Sequence, residues 1–137
     1  MADLTITAAS VVKGATATVQ EGTAGAAITA GMSLYKDSSD SDSLKGAQHD
    51  GTEAEAEFVG IALNDAADGQ PVKYVSKGPT TLGSVLTAGV TYVVGAGAGG
   101  IAPDADVGST DYKTVIGVAL SATSLQVNPI VSGVALA

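Results

Sequence analysis

Two stretches of this chain echo each other, and that echo limits the fold more than any other feature. Gly25-Ala-Ala-Ile28-Thr29-Ala30-Gly31-Met32-Ser33-Leu34-Tyr35 aligns with Gly83-Ser-Val-Leu86-Thr87-Ala88-Gly89-Val90-Thr91-Tyr92-Val93 at an offset of 58 residues. Val59-Gly60-Ile61-Ala62-Leu63 aligns with Ile116-Gly117-Val118-Ala119-Leu120 at an offset of 57. Each half therefore reads as a Thr-Ala-Gly turn, a strand, a variable loop and a second strand. Glycine closes the turn because it takes positive φ at no steric cost. Two halves with one strand order predict an all-β barrel or sandwich with pseudo-twofold character. Two copies are too few for a solenoid.

The side chains available agree with strands. Of 137 residues, 24 are Ala and 18 are Gly, and the 38 larger apolar residues are led by 16 Val. Val, with abundant Thr beside it, is β-branched and fits a pleated sheet better than a helix. That inventory fills one modest core and leaves apolar surface in water.

Outside the repeat, residues 1–24 read as an extended N-terminal arm and residues 25–137 as one domain. Leu4-Thr5-Ile6-Thr7 and Ala15-Thr16-Ala17-Thr18-Val19-Gln20 alternate with period two,. Asp50-Gly-Thr-Glu53 has the form of a helix-capping box, so one short helix at most is expected, over residues 53–58. Asp65-Ala-Ala-Asp68-Gly69-Gln70-Pro71 is a turn signal ahead of the alternating strand Val72-Lys73-Tyr74-Val75. Lys77-Gly78-Pro79 is expected to close that strand. Leu125-Gln-Val127-Asn-Pro129-Ile130-Val131 reads as another strand, with Pro129 holding it to an edge or an end.

Charge narrows the partners. The net charge is −8, from 14 acidic residues against 6 Lys and no Arg. Arg is the usual bidentate ligand for phosphate. An acidic chain without it is repelled by nucleic acid and by anionic lipid, so neither is an expected partner. The absence of Cys removes disulfides, thiolate chemistry and Cys-based metal sites,. No apolar run approaches the roughly 18 residues of a membrane span. The opening Met-Ala-Asp-Leu-Thr lacks a basic region followed by an apolar stretch, so no signal peptide is expected.

Three local patterns invite a chemical reading. Gly95-Ala-Gly97-Ala-Gly99-Gly100 fits the glycine spacing of a dinucleotide loop, but Ile101-Ala-Pro103-Asp cannot open the helix that such a site needs. A β-turn or flexible loop is the expectation. His49 is the single histidine, beside Asp50 and Glu53, in a Gly-rich setting that reads as an exposed loop,. Asp37, Asp40 and Asp42 offer carboxylates without the Gly and bidentate Glu of a calcium loop. They read as a solvated acidic run. No Gly-x-Ser-x-Gly elbow is present. The expectation is a non-enzymatic protein with no catalytic, cofactor or metal residues.

Three motifs in order carry a family resemblance. They are Val59-Gly-Ile-Ala-Leu-Asn64-Asp-Ala-Ala-Asp-Gly69-Gln70-Pro71-Val72, then Leu86-Thr-Ala-Gly-Val-Thr-Tyr92-Val-Val-Gly-Ala-Gly-Ala-Gly99-Gly100-Ile101-Ala102-Pro103, then Val115-Ile-Gly117-Val-Ala119-Leu-Ser-Ala122-Thr-Ser-Leu125. Over roughly residues 25–130 the chain resembles the capsid cement, or head decoration, proteins of tailed phages and prophages. The resemblance implies a small β-barrel or β-clip. It implies a homotrimer bound to the major capsid protein on the outer face of the expanded shell, and assembly in the host cytoplasm. No family catalytic or ligand residue carries over. The apolar residues of the two chain ends are the expected contacts with capsid or neighbouring subunits: Leu4, Ile6, Val11 and Val12 in the arm, and Ile130, Val134 and Leu136 in the tail. A tail-tube, fibre or adhesin module is the alternative reading, and a ligand-binding or enzymatic β-clip domain is the third.

Overall fold

The computed structural model describes residues 4, 6–7, 10–48, 54–95, 98–104 and 112–135. They form a mainly β structure, one curled antiparallel sheet that makes a half-barrel. The strands are β1 (Val12–Lys13), β2 (Thr18–Thr23), β3 (Ser33–Asp37), β4 (Ser43–Gly46) and β5 (Phe58–Ala62). Then come β6 (Pro71–Thr81), β7 (Thr91–Val94), β8 (Ile101–Pro103), β9 (Tyr112–Ala119) and β10 (Ser124–Ala135). Among the described elements, the helical ones are two three-residue 3-10 turns, at Ser38–Asp40 and Ala54–Ala56. The second falls where one short helix was expected; its proposed capping box lies outside the described residues.

The main path of the sheet runs β4-β3-β5-β6-β10-β9-β7-β8. This order is a palindrome of the repeat. Replacing β3, β4, β5 and β6 by β7, β8, β9 and β10 turns one half of the path into the other. The joint is the antiparallel pair β6–β10, with Leu125 opposite Thr80 and Val127 opposite Gly78. Repeated sequence produces repeated hydrogen bonds. Gly31 N donates to Ala62 O at 2.8 Å, and Gly89 N to Ala119 O at 2.8 Å. Ala62 N returns to Met32 O at 2.9 Å, and Ala119 N to Val90 O at 3.0 Å. The Thr-Ala-Gly turns close alike, with Met32 N on Thr29 O and Val90 N on Thr87 O, both at 3.1 Å. Gly31 and Gly89 sit at φ +96° and +85°.

Two clusters fill the interior. The larger joins both halves, with Tyr35, Phe58, Ile61 and Val75 from the first against Tyr92, Ile116, Leu125 and Val127 from the second. The smaller belongs to the first half, with Leu34, Leu44, Val72 and Tyr74 under Ala24, Ile28 and Ala66. Alternation explains the split, because successive strand residues point to opposite faces. Leu34 and Tyr74 serve one cluster, and their chain neighbours Tyr35 and Val75 serve the other. The first half is thus buried on both faces.

Two expectations change and one is met. The strand at Val72 does not close at Lys77-Gly78-Pro79 but runs on to Thr81. Proline removes only a donor. The Pro79 carbonyl still accepts from Gly14 N at 2.7 Å, and Pro79 pairs opposite Gln126. Pro129 keeps to an edge as expected, since beyond Val127 the described pairing of β10 is with β9 alone, and it slips between Val127 and Ile130. Such an irregularity is where a strand tolerates proline. The N-terminal segment is also tied into the sheet, since β1 and β2 both pair with β6.

The matched turns make a test. An L-residue at positive φ costs about 1–2 kcal/mol. A Cβ on Gly89 meets nothing within 4 Å, whereas one on Gly31 meets Ile6 Cγ2 at 2.7 Å and Val11 Cγ2 at 3.1 Å. Overpacking of that kind adds about 1–3 kcal/mol. Gly31→Ala is therefore expected to destabilise more than Gly89→Ala by that second amount, measured by urea unfolding. Equal losses would show that the N-terminal residues do not pack on the turn.

Candidate interaction surface

The reactive-looking motifs resolve into structural roles. Gly95–Gly100 joins β7 to β8 as a hairpin, with Gly95 N on Gly100 O at 2.9 Å and strand, not helix, after it. Its described residues are pinned, contrary to the expectation of a flexible loop. Gly99 N donates to Ala47 O at 2.8 Å, Ser33 N to Gly99 O at 2.9 Å and Ser33 Oγ to Gly100 O at 2.7 Å. A Cβ on Gly46 would press on Gly99 N at 2.5 Å. The loop is a clamp between the two halves, and close backbone approach accounts for glycine there.

The acidic run folds around a lysine. Asp37 opens the 3-10 turn by accepting from Ser39 N at 3.0 Å. Lys45 Nζ reaches Asp37 Oδ2 at 2.7 Å and Asp40 Oδ2 at 3.4 Å. Ser43 Oγ adds a bond to Asp40 Oδ2 at 2.9 Å. The hydrogen bond from Lys45, followed by that from Ser39, pulls the Asp37 carboxyl down to about 2. Two of the three carboxylates thus spend their charge on an ammonium. Among the described residues, no group of three or more His, Asp or Glu is placed to hold a metal ion. No described helix is long and apolar enough to cross a membrane. His49 lies outside the described residues.

The expected contact residues divide. Leu4, Ile6 and Val11 pack against the larger core cluster, and Leu4 N donates to Ile101 O at 2.7 Å. These three are anchors of the N-terminal segment, held inward. Val12 and Ile130 are exposed, at 57% and 61%. Val134 belongs to β10, and Leu136 lies outside the described residues. The sequence reading missed Val118, Leu120 and Val131, which are exposed as well. Their signal was present in the strand periodicity of β9, but nothing in the sequence said which face of β9 lacked a cover.

Most of this exposed set lies on one sheet face. Val12 pairs with Thr81, Thr81 with Ser124, and Leu120 N donates to Ser124 O at 2.8 Å. Two residues along each strand, Pro79, Gln126, Val118 and Thr91 form the next cross-strand row. Rows two residues apart share a face. Ile130 extends β10 beyond the slip, opposite Val115. Within these rows the exposed apolar side chains stand among Thr81, Ser124, Gln126 and Thr91.

The same region holds no acidic side chain, and its cations include Lys13 beside Val12 and the exposed Lys77 two residues from Pro79. Sixteen of the twenty Asp, Glu and Lys residues fall within positions 3–77, and the other four within 104–113. Strands β7, β8 and β10 contain no Asp, Glu, Lys or His, and β9 contains Lys113 alone. Lys113 Nζ meets Asp104 Oδ1 at 2.5 Å. The molecule is acidic on its first half and nearly neutral on its second.

No family model and no curated protein matches this chain.

The Lys45 cluster has a pH signature. Asp37 has a folded pKa of about 2, below its ordinary 3.8. A depressed carboxylate stabilises the fold above its unfolded pKa and stops doing so as pH falls through the folded one. The stability difference between the parent and Asp37→Asn is expected to be constant from pH 7 to 5. It should close as pH falls from 3.8 toward about 2, read by urea midpoints at each pH. A difference unchanged at low pH would contradict the pairing.

Proposed function

We propose that this chain is a structural protein that works by binding protein surfaces, specifically a decoration or cement protein on the outside of a tailed-phage head. Its partners in this reading are the major capsid protein and further copies of itself, as a trimer. Its role is to hold the expanded shell together against internal pressure.

The observation that carries the structural reading is the set of exposed apolar side chains on β1, β9, β10 and the turn after β9, namely Val12, Val118, Leu120 and Ile130, on strands that hold no acidic residue. Apolar area of that kind gains from being covered. The capsid assignment draws on the three ordered motifs, which fall in β5–β6, β7–β8 and β9–β10. The remaining surface suits such a place. With no Arg and a net charge of −8, it is kept soluble and repelled by the packaged genome,.

The test is co-sedimentation of the purified protein with expanded empty heads and, separately, with isolated tails. Saturable binding to heads and none to tails is expected. Decorated heads should fall apart at a higher temperature than bare ones. Binding to tails with no binding to heads would transfer the protein to a tail or fibre role.

A further inference from the structure

The acidic residues of this acidic chain avoid part of it. None of the fourteen falls in residues 4–20, 69–103 or 112–137, while four of the six lysines do: Lys13, Lys73, Lys77 and Lys113. Those three stretches supply β1, β6, β7, β8, β9 and β10. The exposed apolar side chains Val12, Val118, Leu120 and Ile130 stand on the same stretches. The net charge of −8 therefore combines a cationic part with an acidic remainder that holds two lysines and all fourteen acids.

Pairing separates the lysines into kinds. Lys45 is held by Asp37 and Asp40, and Lys113 by Asp104. Lys73 lies opposite Glu21 of β2. Lys77 lies opposite Thr18 and Lys13 opposite Thr80, and neither makes an ion pair with a described residue. Both are exposed.

Lys77 shares the outward face of β6. Lys77, Pro79 and Thr81 alternate with the buried Gly78 and Thr80,. From Thr81 the face passes to Val12, and from Pro79 across Gln126 to Val118. Lys13 follows Val12 at the margin. On the far side the face ends at Val93, which is buried.

We infer that this face docks on an acidic protein surface of the capsid, with Val12, Val118 and Leu120 as apolar contacts and Lys77 and Lys13 meeting carboxylates. The inference rests on the capsid reading above and names the chemistry of the surface that the protein recognises there.

Charge selects that partner. A basic surface would set like charges against Lys77 and Lys13, and a neutral one would leave both ammonium groups without counter-charge. Nucleic acid or an anionic membrane meets the field of the whole chain, which repels it, and finds no Arg,. A local acidic patch on a folded protein meets mainly the face that touches it. The charge distribution also orients the approach. The acidic remainder is pushed away from such a patch and the lysine side is drawn to it.

Salt sets this contact apart from a purely apolar one. The screening length falls from about 10 Å at 0.1 M to about 3 Å at 1 M, which weakens attraction between opposite charges. Apolar burial is not weakened in that way.

The experiment is co-sedimentation of the full chain with expanded empty heads at about 0.1 M and about 1 M sodium chloride. Lys77→Glu, Leu120→Asp and Lys36→Glu are compared with the parent. Lys36 lies on β3 opposite Leu44, so Lys36→Glu makes the same change in net charge away from the face. Far-ultraviolet circular dichroism checks that each variant keeps the parent's strands. Parent binding should weaken as salt rises. Lys77→Glu should bind about tenfold more weakly than the parent at the lower salt and lose less at the higher. Leu120→Asp should weaken binding at both, and Lys36→Glu should bind as the parent does. A Lys77→Glu that binds as tightly as Lys36→Glu would overturn the inference, as would parent binding that salt leaves unchanged or strengthens.

Carbodiimide treatment of decorated heads gives a readout that needs no variant. The reagent takes up the water released when an amine and a touching carboxylate form an amide. Amides from Lys77 or Lys13 to the capsid protein are expected, read by mass spectrometry. Amides from these lysines to another copy of the chain alone, or flotation of the protein with anionic phospholipid vesicles, would give the lysines a different partner and overturn the inference.

The two readings fail separately. A parent that saturates heads whatever stands at position 77 keeps the capsid role and removes the acidic contact. A parent that leaves heads unbound at both salt concentrations removes the capsid role, and the inference with it.

Discussion

The pairing of β6 with β10 is the constraint on which the rest of the molecule depends. It joins the last four residues of β6 to the first four of β10 and makes one sheet from two repeated halves. Because the pair is antiparallel and lies at the centre of the strand path, each half extends away from it in the same order. It also sets which faces meet. Leu125 and Val127 enter the shared core beside Val75 from the long strand β6. Gln126, between them, points the other way with Val118. On that other face of the second half Val118 and Leu120 are exposed, while Val93 is buried.

Charge follows the same division. The acidic loop, the turn at Asp65 and the Lys45 cluster all belong to the first half, where covering segments carry polar groups outward. Strands β7 to β10 hold one Lys and no Asp, Glu or His. Among the described residues, Val118 and Leu120 of that half are exposed, while Ile61, at the place that matches Val118, is buried. Apolar area left in water contributes nothing to folding. The fold is thus asymmetric in its burial despite being symmetric in how it is built.

Much of this was legible in the sequence. The Thr-Ala-Gly turns and the Gly-x-Ala-Leu strands gave the strand order of both halves, because glycine at positive φ and Val-rich alternation each permit few conformations. The glycine-rich loop could be recognised as a turn because Ile101-Ala-Pro103-Asp cannot open the helix that a dinucleotide site needs. The face that each strand buries was not legible. Ile61 and Val118 occupy the same place in near-identical pentapeptides, yet one is fully buried and the other 41% exposed. Burial there is decided by which element lies opposite, a long-range fact that no local pattern encodes. Leu4, Ile6 and Val11 look like an apolar arm in search of a partner, and they pack against the molecule's own core.

The chain's lack of Cys allows the central claim, that the exposed face at Val118 and Leu120 is a contact surface, to be measured directly. A single thiol introduced as Leu120→Cys, labelled by a bulky maleimide, reports only on that position. The account predicts slow labelling of the protein bound to expanded heads and the rate of a free surface thiol for the protein alone. The thiol of Asp42→Cys, on the acidic half, should label fast in both. Labelling of Leu120→Cys at the free rate throughout would mean that the face stays open to water, and would contradict the account.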